Sequence, residues 1–159
     1  MIAHTIHIKK ALSDELHECY KFVRNLADFE GEPENTVISE EEFMRFADSQ
    51  NPVFQILTAK DGEKIVGIAL YYYRYSTWKG RHIHLEDLFV EEEYRHHGIG
   101  SAFFNRLIAL AKEEKIRRIE WEVHDTNKKA QNFYRKLGAE VNGKWQICRL
   151  ELEEARQTK

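Results

Sequence analysis

His82-Ile83-His84-Leu85-Glu86-Asp87-Leu88-Phe89-Val90, followed by Glu91-Glu92-Glu93-Tyr94 and by Arg95-His96-His97-Gly98-Ile99-Gly100-Ser101, is the stretch whose reading decides the fold. Its first part has the apolar density of a buried strand. Its last part is a glycine-bearing turn opening onto a helix, where unpaired backbone N–H groups and the positive end of the dipole favour an anion. Glu86 and Asp87 interrupt the apolar run, and two carboxylates in a buried strand need a reason. In a regular strand they point to opposite faces, so only one lines a given cleft, and a bulge changes which.

Downstream, Ile99, Phe103, Leu107, Leu110 and Ala111 trace one face of a helix ending near Lys115. Ile119, Trp121 and Val123 then alternate with Glu120, Glu122 and His124 as a strand. Strand, helix and strand in succession force the two strands parallel through a right-handed crossover. Upstream, Asp61-Gly62 joins strands over 53–60 and 64–75, and a second turn near Gly80 returns the chain to the opening strand as an antiparallel meander.

At the start, a weakly alternating strand over 5–9 precedes Ser13, an N-cap for a helix carrying Leu16, Tyr20, Val23, Leu26 and Ala27. Glu30 to Asn35 is an acidic loop marked by Gly31 and Pro33. Ser39 with Glu42 forms a capping box for a short helix ending near Asp48. Near the other end, Asn127 caps a helix over 128–137, and Gly138 stops it. Asn142-Gly143 is a turn before a final strand carrying Trp145, Ile147, Leu150 and Leu152. The expected architecture is α/β (α+β), a mixed sheet of about six to seven strands with helices on both faces. It forms one domain over 1–152 with a polar tail over 153–159.

The 159 residues suffice for one domain with a real core. Hydrophobic residues at 42% and charged ones at 32% belong to a globular chain, and a net charge of −3 without a basic arm speaks against nucleic acid. Cys19 and Cys148 read as small buried thiols rather than a disulfide or metal pair. No signal peptide, membrane-spanning run or lipidation motif stands out, which gives a cytoplasmic default with no membrane partner.

The glycine turn fails two common phosphate motifs. A Walker loop needs a lysine before its Ser or Thr, whereas Gly100 precedes Ser101. A dinucleotide fingerprint needs a third glycine where Phe103 stands. What remains, Arg-x-x-Gly-x-Gly at a strand-to-helix turn, resembles the coenzyme A pyrophosphate loop of the Gcn5-related N-acetyltransferases. Asn127, and Asn132-Phe133-Tyr134 followed by Gly138-Ala139, extend the resemblance over nearly the whole chain. Within the family the chain is most similar to the spermidine/spermine and thialysine acetyltransferase group. Leu26-Ala27, Phe29-Glu30, Tyr71-Tyr72-Tyr73, Ser76-Thr77-Trp78-Lys79-Gly80-Arg81 and Leu85-Glu86-Asp87 carry that finer match.

The resemblance implies an acetyl-coenzyme A-dependent N-acetyltransferase acting on a small cationic amine, with no metal, and a homodimer. It implies that the Leu88 N–H polarises the thioester carbonyl and that Val90 pairs with the pantetheine amide. Phe89 and Arg95 are placed with the cofactor, as is Ala130. Backbone amides from His96 through His97, Gly98, Ile99, Gly100 and Ser101 hold the pyrophosphate, and Asn127 bonds the pantetheine arm. Tyr134 is implied as the acid that protonates the leaving sulfur.

Acyl transfer to an amine needs the ammonium deprotonated, and Glu86 is the candidate base, acting directly or through water. Glu30, Trp78, Asp87 and Glu122 are the candidate acceptor-binding residues; for Asp87 a structural hydrogen bond to a turn is the competing role. Two other functions fit the same residues. One is a protein acetyltransferase acting on lysine side chains or N-termini, and the other a non-catalytic coenzyme A-binding sensor.

Overall fold

The computed structural model describes residues 5–35, 38–144 and 146–150. The chain divides into two compact units, Met1–Glu122 and Val123–Lys159, which are described separately.

In the first unit the strands β1 (Ile6–Lys10), β2 (Gln55–Asp61), β3 (Lys64–Ser76), β4 (Gly80–Val90) and β5 (Ile119–Trp121) form one sheet in sequence order. The first four are antiparallel neighbours, and β4 pairs with β5 in parallel. The mixed sheet is therefore as the sequence implies, but it has five strands among the described residues rather than six or seven. The missing strand is the final one. Ile147 and Leu150 are exposed in irregular chain, while Trp145 and Leu152 lie outside the described residues. Cys148, expected to be buried, is exposed for the same reason, whereas Cys19 lies in the core.

Helices α1 (Leu16–Glu30) and α2 (Glu40–Ala47) cover one face of the sheet. There Leu16, Cys19, Phe22 and Phe43 pack against Ile56, Ile65, Ile68 and Leu70. Helix α3 (Ile99–Glu113) covers the other face with Phe103, Phe104 and Leu107 buried. A Cβ added to Gly67 would lie 3.4 Å from the Phe103 ring and 2.8 Å from the Phe89 carbonyl oxygen, so β3 passes too close to β4 for any side chain there.

Local chemistry explains the helix ends. Ser39 accepts from Glu42 N–H at 3.1 Å, as its capping-box position requires. Ser13 does not cap α1. A short 3₁₀ turn over Ser13–Glu15 precedes the helix, Glu15 caps the Leu12 N–H at 2.8 Å, and the Ser13 hydroxyl instead donates to Asp48. Gly31 closes α1 in the left-handed conformation at φ 76°, a position suited to glycine.

In the second unit, α4 (Lys128–Lys136) is capped by Asn127, whose Oδ1 accepts from Ala130 N–H at 3.1 Å. Buried Gln131 donates to the carbonyls of His124 and Asp125 at 3.1 and 2.9 Å and fixes the turn that enters the helix.

Candidate active site

The decisive local feature is a bulge in β4. Leu70 lies opposite Asp87, but the next residue, Tyr71, lies opposite Leu85, so Glu86 is the extra residue. Asp87 therefore shares the face of Leu70, the one covered by α1 and α2. Phe89 returns to that face opposite Ile68 and packs edge-on against Phe22 and Phe29. Glu86 stays with His84 on the same side: its Oε2 is 3.4 Å from the His84 Nε2, and the Tyr72 hydroxyl lies within interaction reach of its carboxylate. The regular-strand expectation that Glu86 and Asp87 face apart is thus corrected. Both belong to one side, and Glu30 at the end of α1 is close enough for its charge to reach Asp87.

This clustering changes the chemistry of Asp87. Burial first, then the charges of Glu86 and Glu30, push its pKa up to about 7. A carboxyl there is close to half ionised at neutral pH, and an approaching ammonium favours its charged form. Glu86 itself is exposed, as is Glu30. Around them Tyr72 has its phenol pKa raised, by burial foremost and then by the Glu86 carboxylate. Glu122, just past β5, also acts on Tyr72 and on His84 through its charge.

The bulge also sets the direction of the β4 backbone. Before it, Ile83 N–H points toward β5 and donates to Arg118 O at 3.2 Å. After it, Glu91 N–H points toward β3 and donates to Val66 O at 2.9 Å. Alternation then turns the N–H groups of Leu88 and Val90 toward the β5 side. The parallel ladder ends at Leu85 and Trp121, so among the described residues no strand meets that stretch of β4. An open strand edge with aligned donors accepts an extended amide chain, as a pantetheine arm is.

The loop beyond β4 fits an anion. His96 and Gly98 take positive φ of 66° and 81°, and they bring the chain directly into α3, where the N–H groups of the first turn, from Ile99 to Ser101, have no intrahelical acceptor. His97 is exposed. Arg95 is anchored on the protein side of this loop. Its Nε donates to Val90 O at 2.9 Å, and its guanidinium lies 4.5 Å over the Phe29 ring and 5.4 Å from that of Phe89. It ties the anion loop to the end of α1, one residue from Glu30.

Trp78 stands 82% exposed on the β3–β4 hairpin, whose tip is shaped by the Ser76 hydroxyl accepting from Trp78 and Lys79 N–H at 3.2 and 3.1 Å. In the second unit Tyr134 is half-buried on α4 with its ring 5.4 Å from that of Phe133. The Asn127 side-chain oxygen is committed to its cap. The sequence reading missed Tyr72, Arg74 and His84. The i, i+2 spacing of His84 and Glu86 on one strand was a usable signal for the last.

Among known proteins, the sequence pattern of the Acetyltransferase (GNAT) family matches residues 10–139. The chain is 34% identical to the thialysine N-epsilon-acetyltransferase of Bos taurus over 164 residues, covering 96% of each. It is 27% identical to a human spermidine/spermine N(1)-acetyltransferase-like protein 1 over 92% of this chain and 23% of that one. Among solved structures, an aminoglycoside acetyltransferase from an uncultured soil metagenomic sample superposes with a TM-score of 0.79 at 17% identity, covering 95% of this chain and all of the other, a likeness of fold.

Proposed function

The chain belongs to the acetyltransferase (GNAT) family, and from that premise we propose that it moves the acetyl group of acetyl-coenzyme A directly onto a primary amine of a small cationic acceptor: a polyamine, lysine or a thialysine-like amino acid. The observation that carries the acceptor class is the bulge at Glu86, which brings Glu86 and Asp87 to one side within electrostatic reach of Glu30. Three carboxylates at one mouth favour a cation, and the 34% identity to a thialysine acetyltransferase supports the same class.

Acetyl-coenzyme A supplies the acyl group already activated as a thioester. The first-turn amides of α3 and the His96–Gly98 turn receive its pyrophosphate, and the open edge of β4 receives its pantetheine arm through Val90; Asn127 is assigned to that arm on the family resemblance alone. Leu88 N–H donates to the thioester carbonyl oxygen, where negative charge develops as the C–N bond forms and is released again as the C–S bond breaks. Glu30 and Asp87 draw in the ammonium. Glu86 takes the ammonium proton, directly or through water, so that the neutral amine attacks. Tyr134, assigned on the family resemblance, gives a proton to the departing sulfur, and the second proton shed by the nitrogen as it becomes an amide restores the phenol.

The single domain over 1–152, the cytoplasmic location and the homodimer are part of this same reading. Release of free thiol from acetyl-coenzyme A, screened against diamines, polyamines, lysine and thialysine, tests it. Turnover confined to protein or peptide lysines would reassign the acceptor, and no turnover with any amine would remove the enzymatic reading.

A further inference from the structure

His84 has no part in the transfer steps above, yet it is a polar residue only 4% exposed, placed directly behind Glu86. Its Nε2 lies 3.4 Å from Glu86 Oε2, and its Nδ1 lies 3.4 Å from Arg74 Nη1. Tyr72 covers the ring at 5.0 Å between centroids. Arg74 is itself oriented by Glu120 at 3.3 Å, and Glu120 by Arg118 at 3.2 Å.

A guanidinium only donates, so the nitrogen facing Arg74 is the acceptor of the imidazole and the ring proton sits on Nε2, toward Glu86. The charged groups facing His84 are Glu86 on its own strand, Arg74 on β3, and Glu120 and Glu122 from β5 and its end; Tyr72 on β3 is the neutral titratable group. The three carboxylates favour a charged ring, but burial outweighs them and Arg74 opposes them, so the imidazole pKa falls below its usual value.

We propose that His84 is a positioning residue for Glu86. Arg74 fixes its tautomer, and its Nε2–H joins the Tyr72 hydroxyl in holding one side of the bulge carboxylate, so that the remaining oxygen is presented to the acceptor ammonium. A side chain at a bulge lacks the flanking ladder contacts that orient a regular strand residue, and two converging donors replace them. This inference rests on the acetyl-transfer reading.

Three variants separate it from a packing role. In His84→Gln the amide nitrogen stands near the position of Nε2 and keeps a donor toward Glu86. In His84→Asn the amide stands near Nδ1 and does not reach Glu86, and His84→Leu has no donor. With thermal unfolding checked for each, His84→Gln is expected to hold kcat within about threefold of wild type. His84→Asn and His84→Leu should lose about tenfold or more, with the KM for acetyl-coenzyme A unchanged. In a Glu86→Gln background, His84→Asn should add little. Equal kcat in the Gln and Asn variants, or losses that add fully to that of Glu86→Gln, would overturn the assignment. If His84→Leu does not fold, the Gln and Asn pair decides alone. Wild-type protein inactive on every amine would instead remove the acetyl-transfer reading beneath it.

Discussion

Asp87 lies opposite Leu70 in the β3–β4 ladder, one residue out of step with Leu85 opposite Tyr71. The offset places a carboxyl where an apolar core ends, and its pKa of about 7 follows from burial and from Glu86 and Glu30. Below that pH Asp87 is neutral and attracts a cation less; above it the carboxylate is present. The KM for the amine should therefore rise as pH falls through about 7, with the KM for acetyl-coenzyme A nearly flat. Asp87→Asn should raise the amine KM and flatten that dependence, and an amine KM whose pH profile is the same in both proteins would contradict the role.

Glu30 is a negative charge that raises the Asp87 pKa. In Glu30→Gln that contribution is gone, so Asp87 ionises more readily and the rise in amine KM should move to lower pH. At pH 8 the loss of one exposed charge near the ammonium should raise the amine KM roughly 1.5- to 5-fold. Saturation curves for the two proteins over the same pH series test both statements.

Arg95 couples two parts of the site through its stack on Phe29 and its bond to Val90 O. Arg95→Lys keeps the charge but loses the planar face and the Nε donor. The amine KM should then rise together with the KM for acetyl-coenzyme A, at a stability cost of about 1–2 kcal/mol. A change confined to acetyl-coenzyme A would reduce Arg95 to a phosphate ligand.

Gly67→Ala places a methyl 2.8 Å from the Phe89 carbonyl oxygen and 3.3 Å from Val90 Cγ2. The strands must separate, at roughly 1–3 kcal/mol in urea unfolding. Because the displaced residues lie on the open edge of β4, affinity for coenzyme A should fall as well. Unaltered binding calorimetry with coenzyme A would show that this edge does not hold the cofactor.

Tyr134→Phe removes the phenol while keeping the ring. Loss of a positioned general acid should lower kcat roughly a hundredfold with small changes in either KM, while the ring contact with Phe133 is kept. An unchanged kcat would exclude the tyrosine from proton transfer.

The fold was legible where hydrophobic period and turn chemistry agree. Asp61-Gly62 and the strand-helix-strand run from His82 led directly to the observed hairpin and parallel join. The bulge was not legible, because Leu85-Glu86-Asp87-Leu88 contains no glycine or proline and the offset arises from pairing with Tyr71 and Leu70. Its consequences went unseen with it: the shared side of Glu86 and Asp87, and the reversal that turns Leu88 N–H to the open edge. β5 is shorter than its alternation through His124 suggests, since its ladder with β4 ends at Leu85. Ser13 matched a capping pattern that Glu15 and Asp48 satisfy differently, a choice made by tertiary neighbours.

The most direct test of the central claim is two-substrate kinetics with acetyl-coenzyme A and a cationic amine such as thialysine, following free thiol and acetylated amine together. Direct transfer predicts amine-dependent thiol release, one acetylated amine per thiol, and double-reciprocal lines that intersect. Thiol release that ignores the amine, or parallel lines marking an acetylated enzyme, would contradict the account.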